Sequence, residues 1–302
     1  MVEISVVICS HNPRANHLRR TLDALRAQKL STDLWQLLLI DNASDVALES
    51  TWDISWHPHS RHILEEELGL ASARRRGIRE STGDVLVFVD DDNILEPDYL
   101  SETLRIAREW PILGVWGSGA TVPEYEVAPA EHLEQFISRQ SPNAFWSNVP
   151  FCAEATPWGA GLCVRREVAT AYCRFCEQSA IQITGRRGKS LSGGEDTEIC
   201  IVSCDVGYGV GIFPQLKLTH LIPKERVTEK YLLKLVEGSA ASVLLLEYKW
   251  RGTTPRSPLS VRALCSMLKN VLLRRGFDRR LYLANWNATV HARRIIDATV
   301  GE

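Results

Sequence analysis

Three consecutive aspartates, Asp90, Asp91 and Asp92, follow an apolar run and are the residues of this sequence best suited to chemistry. The run Val85–Val89 predicts a strand that is buried on both faces. Three carboxylates at the end of such a strand repel one another unless a cation or paired donors relieve them. Ligands bind at the carboxyl ends of strands in open α/β sheets, and Mg²⁺ or Mn²⁺ prefers carboxylate oxygens together with substrate phosphates. The pattern therefore indicates a divalent-metal site, with a solvated acidic turn as the alternative.

Four further polar residues fall at the ends of predicted elements. Asp41 follows the second predicted strand, and His220 follows a late strand. Glu195 and Asp196 open a predicted helix. Because a right-handed βαβ sheet gathers its loops at one edge, we expect these side chains near the aspartates. Each has a structural alternative when it is taken alone: a satisfied histidine, or acids that only cap a helix.

Length and composition limit the classes of protein that the chain can belong to. At 302 residues, with 45% hydrophobic and 24% charged residues, it is typical of a globular protein with one large α/β domain or two ordinary ones. A net charge of −2 argues against nucleic acid as a partner. The sequence has no apolar run of about 18 residues and no basic signal-peptide region, so we expect a cytoplasmic protein.

The first 120 residues alternate between strand and helix patterns in the βαβ manner. Short strands are also predicted at Leu113–Gly117, Val210–Phe213 and Leu216–Thr219, and the chain beyond Arg226 reads as helical. The other predicted strands are Ile4–Cys9, Trp35–Ile40, Arg61–Leu64 and Ala160–Arg165, and the helices before the carboxyl-terminal part are Asn16–Gln28, Leu70–Glu80, Pro97–Glu109, Arg166–Tyr172 and Glu195–Asp205. The pattern predicts an α/β fold with a helical carboxyl-terminal extension.

Seven segments in a fixed order carry a family resemblance: SVVICSHNPRANHLRRTLDAL, LLLIDNASD, GLASARRRGI, GDVLVFVDDDN, WGAGLCVRRE, SGGEDTEI and LTHLI. With them, over approximately residues 3–222, the chain resembles a family 2 glycosyltransferase of the GT-A fold. The resemblance implies a nucleotide-sugar-binding fold with a mixed, mainly parallel sheet. It also implies an inverting, metal-dependent hexosyltransferase that moves a sugar, usually from a UDP-sugar, to a hydroxyl of a glycan or lipid-linked glycan acceptor in polysaccharide or surface-glycan biosynthesis.

The same resemblance assigns a nucleotide pocket to the amino-terminal half. Asp41 matches the carboxylate that accepts a hydrogen bond from the base. Ser10, His11 and Asn12, after the first strand, line the same pocket, and Asp90 matches the acid that faces the ribose.

A second group of matches concerns the diphosphate and the metal, which is Mn²⁺ or Mg²⁺. Asp92 matches the acid that binds the metal, and His220 matches a metal ligand found in several branches of the fold. Arg74 matches an arginine whose charge and fork geometry suit the nucleotide or diphosphate. Asp91 is expected either to face elsewhere or to help the nucleotide-sugar site through an outer-shell water. Arg186, Arg187 and Lys189 are candidate anion partners in a lid, with a basic surface loop as the alternative.

The remaining matches concern the acceptor side of the site. An acceptor hydroxyl needs a base, and the string GGED places Asp196 as that base and Glu195 as a ligand of acceptor or sugar hydroxyls. Trp158 and Gly159 fall where the family has the floor of the donor-sugar and acceptor pocket. A tight turn with a core tryptophan is the alternative for the last two.

We divide the chain into a GT-A-like catalytic domain, residues 1–222, and a helical extension, residues 223–302. Within the first, residues 1–120 form the nucleotide-binding half and residues 121–222 the acceptor and base half. The extension carries an apolar stripe with lysines beside it, from Tyr231 to Leu245, and arginine pairs near residues 274–280. One interpretation is peripheral contact with the inner face of a membrane. The alternatives are a helical cap on the sheet or an oligomer contact, and the oligomeric state stays open.

Two rival functions use the same kind of fold. A nucleotidyltransferase would carry a glycine-rich basic signature after the first strand, and SVVICSHNPRAN has no glycine. A non-catalytic nucleotide- or sugar-binding module would not need Glu195 and Asp196 together with the three aspartates. The sequence leaves open the donor sugar, the acceptor, the linkage and the choice between Mg²⁺ and Mn²⁺.

Overall fold

The computed structural model of the protein describes residues 2–136, 139–188 and 191–300. Within these residues ten strands form one sheet, accompanied by nine α-helices and three short 3₁₀ helices. The strands are β1 (Ile4–Ser10), β2 (Trp35–Asn42), β3 (Ser60–Glu65), β4 (Val85–Asp90), β5 (Asn93–Leu95), β6 (Leu113–Tyr125), β7 (Arg139–Gln140), β8 (Phe145–Ser147), β9 (Leu162–Arg165) and β10 (Gly209–Ile222). The helices are α1 (Ala15–Arg26), α2 (Leu48–Thr51), α3 (Leu70–Glu80), α4 (Tyr99–Glu109), α5 (Arg166–Gln178), α6 (Glu195–Asp205), α7 (Glu229–Arg251), α8 (Val261–Leu273) and α9 (Gly276–Val300). The 3₁₀ helices are Thr32–Leu34, Glu131–Phe136 and Lys224–Val227.

The amino-terminal half of the sheet is parallel and buried. Its strand order is β3-β2-β1-β4, and every neighbouring pair is parallel, with Ile4 aligned to both Trp35 and Val85. Every residue of β2 is buried, as continuous apolar strands covered by helices on both faces should be. The carboxyl ends of β1, β2 and β4 therefore meet at one edge, which is the arrangement that the βαβ pattern predicts.

Beyond β4 the sheet becomes mixed. Strand β9 runs antiparallel between β4 and β6, and β10 runs parallel to β6. The predicted fold class, a mixed and mainly parallel sheet with a helical carboxyl-terminal part, is confirmed. Two strand predictions were wrong in extent. β6 continues to Tyr125 instead of ending at Gly117, and β10 is one strand with a register shift between Phe213 and Lys217 where two were predicted. Pro214 falls inside that shift, where a missing N–H breaks the ladder.

Part of the apolar stripe of α7 packs inside the protein. Leu232 and Leu245 are buried, as is the next residue, Leu246, and α7 contacts α9. Leu245 and Leu246 share one apolar cluster with Ile183 before α6. Val243 of the same stripe is 45% exposed, so the cap interpretation and the division of the chain at residue 222 both stay predictions. Among the described residues, no helix is apolar over a stretch long enough to span a bilayer.

Candidate functional site

The site lies where β1 and β4 end side by side. Cys9 pairs with Asp90 in the parallel register, so the residues after them face each other. The Ser10 hydroxyl donates to Asp91 Oδ2 over 2.5 Å. Burial and the neighbouring Asp92 raise the pKa of Asp91 to about 7, against the lowering effect of the Ser10 hydrogen bond. Ser10, the last residue of β1, thus fixes the position of the Asp91 carboxylate through this hydrogen bond.

The predicted nucleotide pocket is a set of interlocked turns after β1 and β2. Asp41 is buried, and its two carboxylate oxygens accept from the backbone N–H groups of Ser44 (3.0 Å) and Leu48 (2.9 Å). The Asn12 side chain exchanges hydrogen bonds with Asp45, and both lie in the exposed outer turn. Asp41 therefore fixes the loop that follows β2, and its predicted role toward a base stays a prediction.

Asn42 connects the histidine of this pocket to the next loop. Its carbonyl oxygen lies 2.8 Å from His11 Nδ1, and its side-chain amide donates to the carbonyl of Glu67 over 2.8 Å. The same amide group accepts from the Gly69 N–H, just before α3. Sequence analysis assigned Asn42 no role. Its position directly after Asp41, at the end of a buried strand, is the signal that could have found it.

Arg74 is the buried cation of the site, with its side chain 2% exposed on α3. Its guanidinium lies 3.3 Å from Glu195 Oε1 and 3.6 Å from Asp90 Oδ1, and it donates to the carbonyl of Gly159 over 3.3 Å. Burial alone would lower the pKa of Arg74, but Glu195, Asp90 and Asp196 outweigh it and raise the pKa above its usual range. One arginine therefore joins the end of β4 to the start of α6 and to the loop before β9.

The absence of a side chain at Gly159 leaves room for the Arg74 guanidinium beside this loop. A Cβ atom there would lie 2.8 Å from Arg74 Nη2 and 3.2 Å from Asp196 Oδ2, closer than real side chains allow for the first of these contacts. The structure thus brings Gly159, Arg74 and Asp196 together, and the role of Gly159 in a pocket floor stays a prediction. Trp158, beside them, is 37% exposed, so it is not a core tryptophan.

The two acids that open α6 differ in their surroundings. Glu195 is 4% exposed, and burial raises its pKa to about 7, with Asp196 adding to the effect and Arg74 opposing it. Asp196 is only partly buried, and its Oδ1 accepts from the N–H of Thr197 over 2.7 Å at the helix start. Asp196 is therefore the acid that a substrate can reach, whereas Glu195 is buried against Arg74.

Asp92 and His220 meet across the sheet. β5 and β10 pair with Asn93 opposite His220, which puts His220 Nε2 at 3.5 Å from Asp92 Oδ2. Asn93 is buried; its side chain donates to Asp92 Oδ1 over 3.0 Å and accepts from the Asp90 N–H. Arg226, in the 3₁₀ helix after β10, donates to Asp92 Oδ2 over 2.6 Å. Burial would raise the pKa of Asp92, but His220 and Arg226 together lower it well below its usual range.

These residues fit a divalent cation that also binds a substrate. Across the described part of the chain, no group of three or more His, Cys, Asp or Glu side chains could hold a metal by itself. Asp92 and His220, however, present an oxygen and a nitrogen 3.5 Å apart, a separation that two ligands of one ion can have. Mg²⁺ typically takes one or two carboxylates and completes its shell with phosphates and water. The donor set therefore suits a metal that arrives with a diphosphate.

Arg226 and Asn93 are site residues that the sequence does not predict. Arg226 follows His220 by six residues and lies in a segment that also contains Lys224. A basic residue shortly after a candidate metal ligand is a weak signal, and only the tertiary structure shows that its guanidinium reaches Asp92. Asn93 directly follows the three aspartates, where a short amide side chain can close a turn. Of the three candidate lid residues, Lys189 lies outside the described residues, whereas Arg186 helps to lower the pKa of Asp92.

Comparison with known proteins decides the family. The model of the family described as "Glycosyl transferase family 2" matches residues 5–155, which include β1, β2, β4 and the three aspartates. The chain belongs to glycosyltransferase family 2. The succinoglycan biosynthesis protein ExoM of Rhizobium meliloti is 25% identical over 255 residues, which are 77% of this chain and 71% of ExoM. Other curated relatives are matched over smaller shares of their own length, and the chain spans 30%, 14% and 51% of three of them.

Two solved structures share this fold. A mannosyltransferase of Pyrobaculum calidifontis, in complex with GDP-Man and Mn²⁺, superposes with a TM-score of 0.56 at 18% identity over 99% of this chain and 75% of the other. TarS 1–349 of S. aureus, in complex with UDP-GlcNAc, gives a TM-score of 0.53 at 9% identity over 98% and 92%. At such identities the likeness establishes the GT-A fold of this family 2 member and nothing about its substrate.

Proposed function

We propose that this chain transfers a sugar from a nucleotide-sugar to a hydroxyl of a glycan acceptor, with inversion and with a divalent metal. The observation that carries the proposal is the meeting of two groups at one sheet edge. Asp92 and His220 offer ligands for a cation. Arg74 contacts Asp90 and Glu195, and Asp196 lies beside it at Gly159. Family membership and the relation to ExoM, a succinoglycan biosynthesis protein, support a role in polysaccharide biosynthesis.

The proposed chemistry needs positive charge on one side and a base on the other. A divalent cation bound to the diphosphate would stabilise the charge of the departing group as a Lewis acid. Asp92 and His220 would hold that cation, and Arg74 keeps a buried positive charge next to Asp90. Asp196 accepts the proton of the attacking hydroxyl, and Glu195 positions Arg74. A direct displacement of this kind inverts the anomeric carbon.

A UDP-sugar is our preferred donor. The structural neighbours support a nucleotide-sugar in general, because one is in complex with GDP-Man and the other with UDP-GlcNAc. Asp41 fixes the loop that would line the base, Ser10 ends β1, and His11 and Asn12 lie in the adjoining turn. Binding measurements with UDP, GDP and dTDP therefore form the three arms of the first experiment.

We expect Asp92→Asn to abolish most of the metal-dependent binding of UDP. Removal of one of the two proposed protein ligands should lower the affinity by at least the ~10- to 100-fold that loss of an outer-shell partner costs. Isothermal titration of UDP with Mn²⁺, and again with EDTA, measures this in the wild type and the variant. Asp98→Asn, at an exposed acid that precedes α4, is the control. If the wild type binds none of the three nucleotides, the transferase proposal fails; if binding ignores both EDTA and Asp92→Asn, the metal site is wrong.

We expect Arg226→Gln to raise the affinity of the nucleotide-free protein for Mn²⁺ by about tenfold. The Arg226 guanidinium donates to Asp92 Oδ2, the oxygen that a cation would need. Loss of the guanidinium removes a competitor for this oxygen and a positive charge that repels Mn²⁺. Mn²⁺ titration followed by electron paramagnetic resonance gives the affinity directly. Arg14→Gln removes a neighbouring charge that pairs with Glu225 instead, and should leave Mn²⁺ binding nearly unchanged. Equal Mn²⁺ affinity in the wild type and Arg226→Gln would contradict the prediction.

A further inference from the structure

Helix α8 is the one helix of the described carboxyl-terminal part with no buried residue. Four of its exposed residues recur at helical spacing and form a single stripe, which we call the α8 stripe: Val261, Cys265, Leu268 and Leu272. Val261 and Leu272 are each 79% exposed, and Leu268 is 56% exposed. Leu259 before the helix and Leu273 at its end are each 71% exposed. Leucines exposed to this degree on one helix are an unpartnered apolar face.

The segment of the chain that carries the α8 stripe has charged residues of one sign between Glu247 and Asp278. Residues 248–277 contain seven lysines and arginines and no aspartate or glutamate. Lys249 and Arg251 are engaged with the rest of the protein, but Arg256, Arg262 and Lys269 form no ion pair within the described residues. Arg262 and Lys269 lie about a quarter turn from the stripe, one above the other on the same side of the helix. An apolar face bordered by unpaired cations is the pattern of helices that lie in a membrane interface.

We propose that α8 docks this protein on an anionic lipid surface, with the α8 stripe inserted and Arg262 and Lys269 at the headgroups. Anionic headgroups attract each nearby lysine or arginine, and long basic side chains can reach them while the leucines enter the acyl boundary. A second copy of this chain is a poorer occupant, because two copies of the α8 surface would bring like charges together. The half-buried residues Leu264, Met267 and Val271 lie to one side of the stripe, and α8 contacts α9.

Helix α8 is connected through the start of α9 to the segment that carries Arg226 at the candidate site. α9 follows α8 after two residues, and its Phe277 packs on the cluster that contains Ile222 and Val227. Val227 is the neighbour of Arg226, whose guanidinium contacts Asp92. A protein held by α8 would therefore keep the rim of the site near the lipid surface, where a lipid-linked glycan acceptor would lie. This consequence rests on the proposed function, whereas the docking itself does not.

Vesicle co-sedimentation of the whole chain tests the docking. We expect binding to phosphatidylcholine vesicles that contain phosphatidylglycerol, weak binding to phosphatidylcholine alone, and loss of binding at high salt. The double variants Leu268→Gln/Leu272→Gln and Arg262→Gln/Lys269→Gln should each lower the partition coefficient by about tenfold or more. The melting temperature and UDP affinity report separately on folding and on the proposed function.

The matched control is Ile112→Gln/Val206→Gln. These residues are 50% and 39% exposed, and they lie in the chain just before β6 and β10. The control should bind vesicles like the wild type. The proposal is overturned if the wild type does not bind anionic vesicles, or if the stripe variant binds them equally well. It is also overturned if sedimentation velocity shows a dimer that Leu268→Gln/Leu272→Gln dissociates while vesicles capture nothing.

Discussion

Asp196→Asn is expected to lower the turnover number for sugar transfer by about a hundredfold to ten-thousandfold, the usual contribution of a general base. The amide keeps the shape and the hydrogen bond from Thr197 but cannot take up a proton. UDP affinity and melting temperature should stay at wild-type values, because Asp196 makes no ion pair within the described residues. Turnover with the best nucleotide-sugar found by titration measures the effect.

Asp205→Asn is the matched control, since Asp205 ends the helix that Asp196 helps to open. It should leave turnover unchanged. Glu195→Gln separates the two acids of the GGED string, because a residue that acts through Arg74 should change donor affinity as well as turnover. If Glu195→Gln abolishes turnover at unchanged UDP affinity while Asp196→Asn remains active, Glu195 is the base and our assignment is wrong.

Lys249→Met is expected to lower the free energy of unfolding by about 3–5 kcal/mol, because it leaves a charged partner buried. Lys249 Nζ lies 2.5 Å from Glu198 Oε1, and the two side chains are 10% and 0% exposed. Trp250 donates to the same carboxylate oxygen over 3.3 Å. The pair joins α7 to α6, the helix that begins with Glu195 and Asp196. Urea denaturation at neutral pH gives the loss.

Two further variants test the cause of this loss. Glu198→Gln/Lys249→Met keeps an acceptor for Trp250 and removes the unpaired charge, so it should recover most of the stability. Arg280→Met breaks the exposed pair between Arg280 and Glu229, whose side chains are 51% and 33% exposed, and should cost at most about 1 kcal/mol. Equal losses from Lys249→Met and Arg280→Met would show that burial of the pair is not what matters.

The parallel half of the fold could be predicted from the sequence because its signals are local. Continuous apolar runs such as Val85–Val89 form strands wherever helices cover both faces, and α3 was predicted at its observed bounds, Leu70–Glu80. The second half could not be predicted as well. β6 continues through Val122 and Pro123 because β10 pairs with it, and that pairing joins residues about 100 positions apart.

The candidate site divides in the same way. The acids at strand and helix ends could be predicted, since Asp41, the three aspartates, Glu195 and Asp196 each follow a recognisable local pattern. The partners of these acids depend on how distant segments pack. Arg74 contacts both Asp90 and Glu195, and Arg226 contacts Asp92, which is 134 positions away in the sequence. In the same way Leu232 and Leu245 of α7 are buried whereas Leu268 and Leu272 of α8 are exposed, although both pairs belong to apolar patterns of helical spacing. Local patterns fix which face of an element is apolar or charged, but its partner depends on contacts between distant segments, which no local pattern encodes.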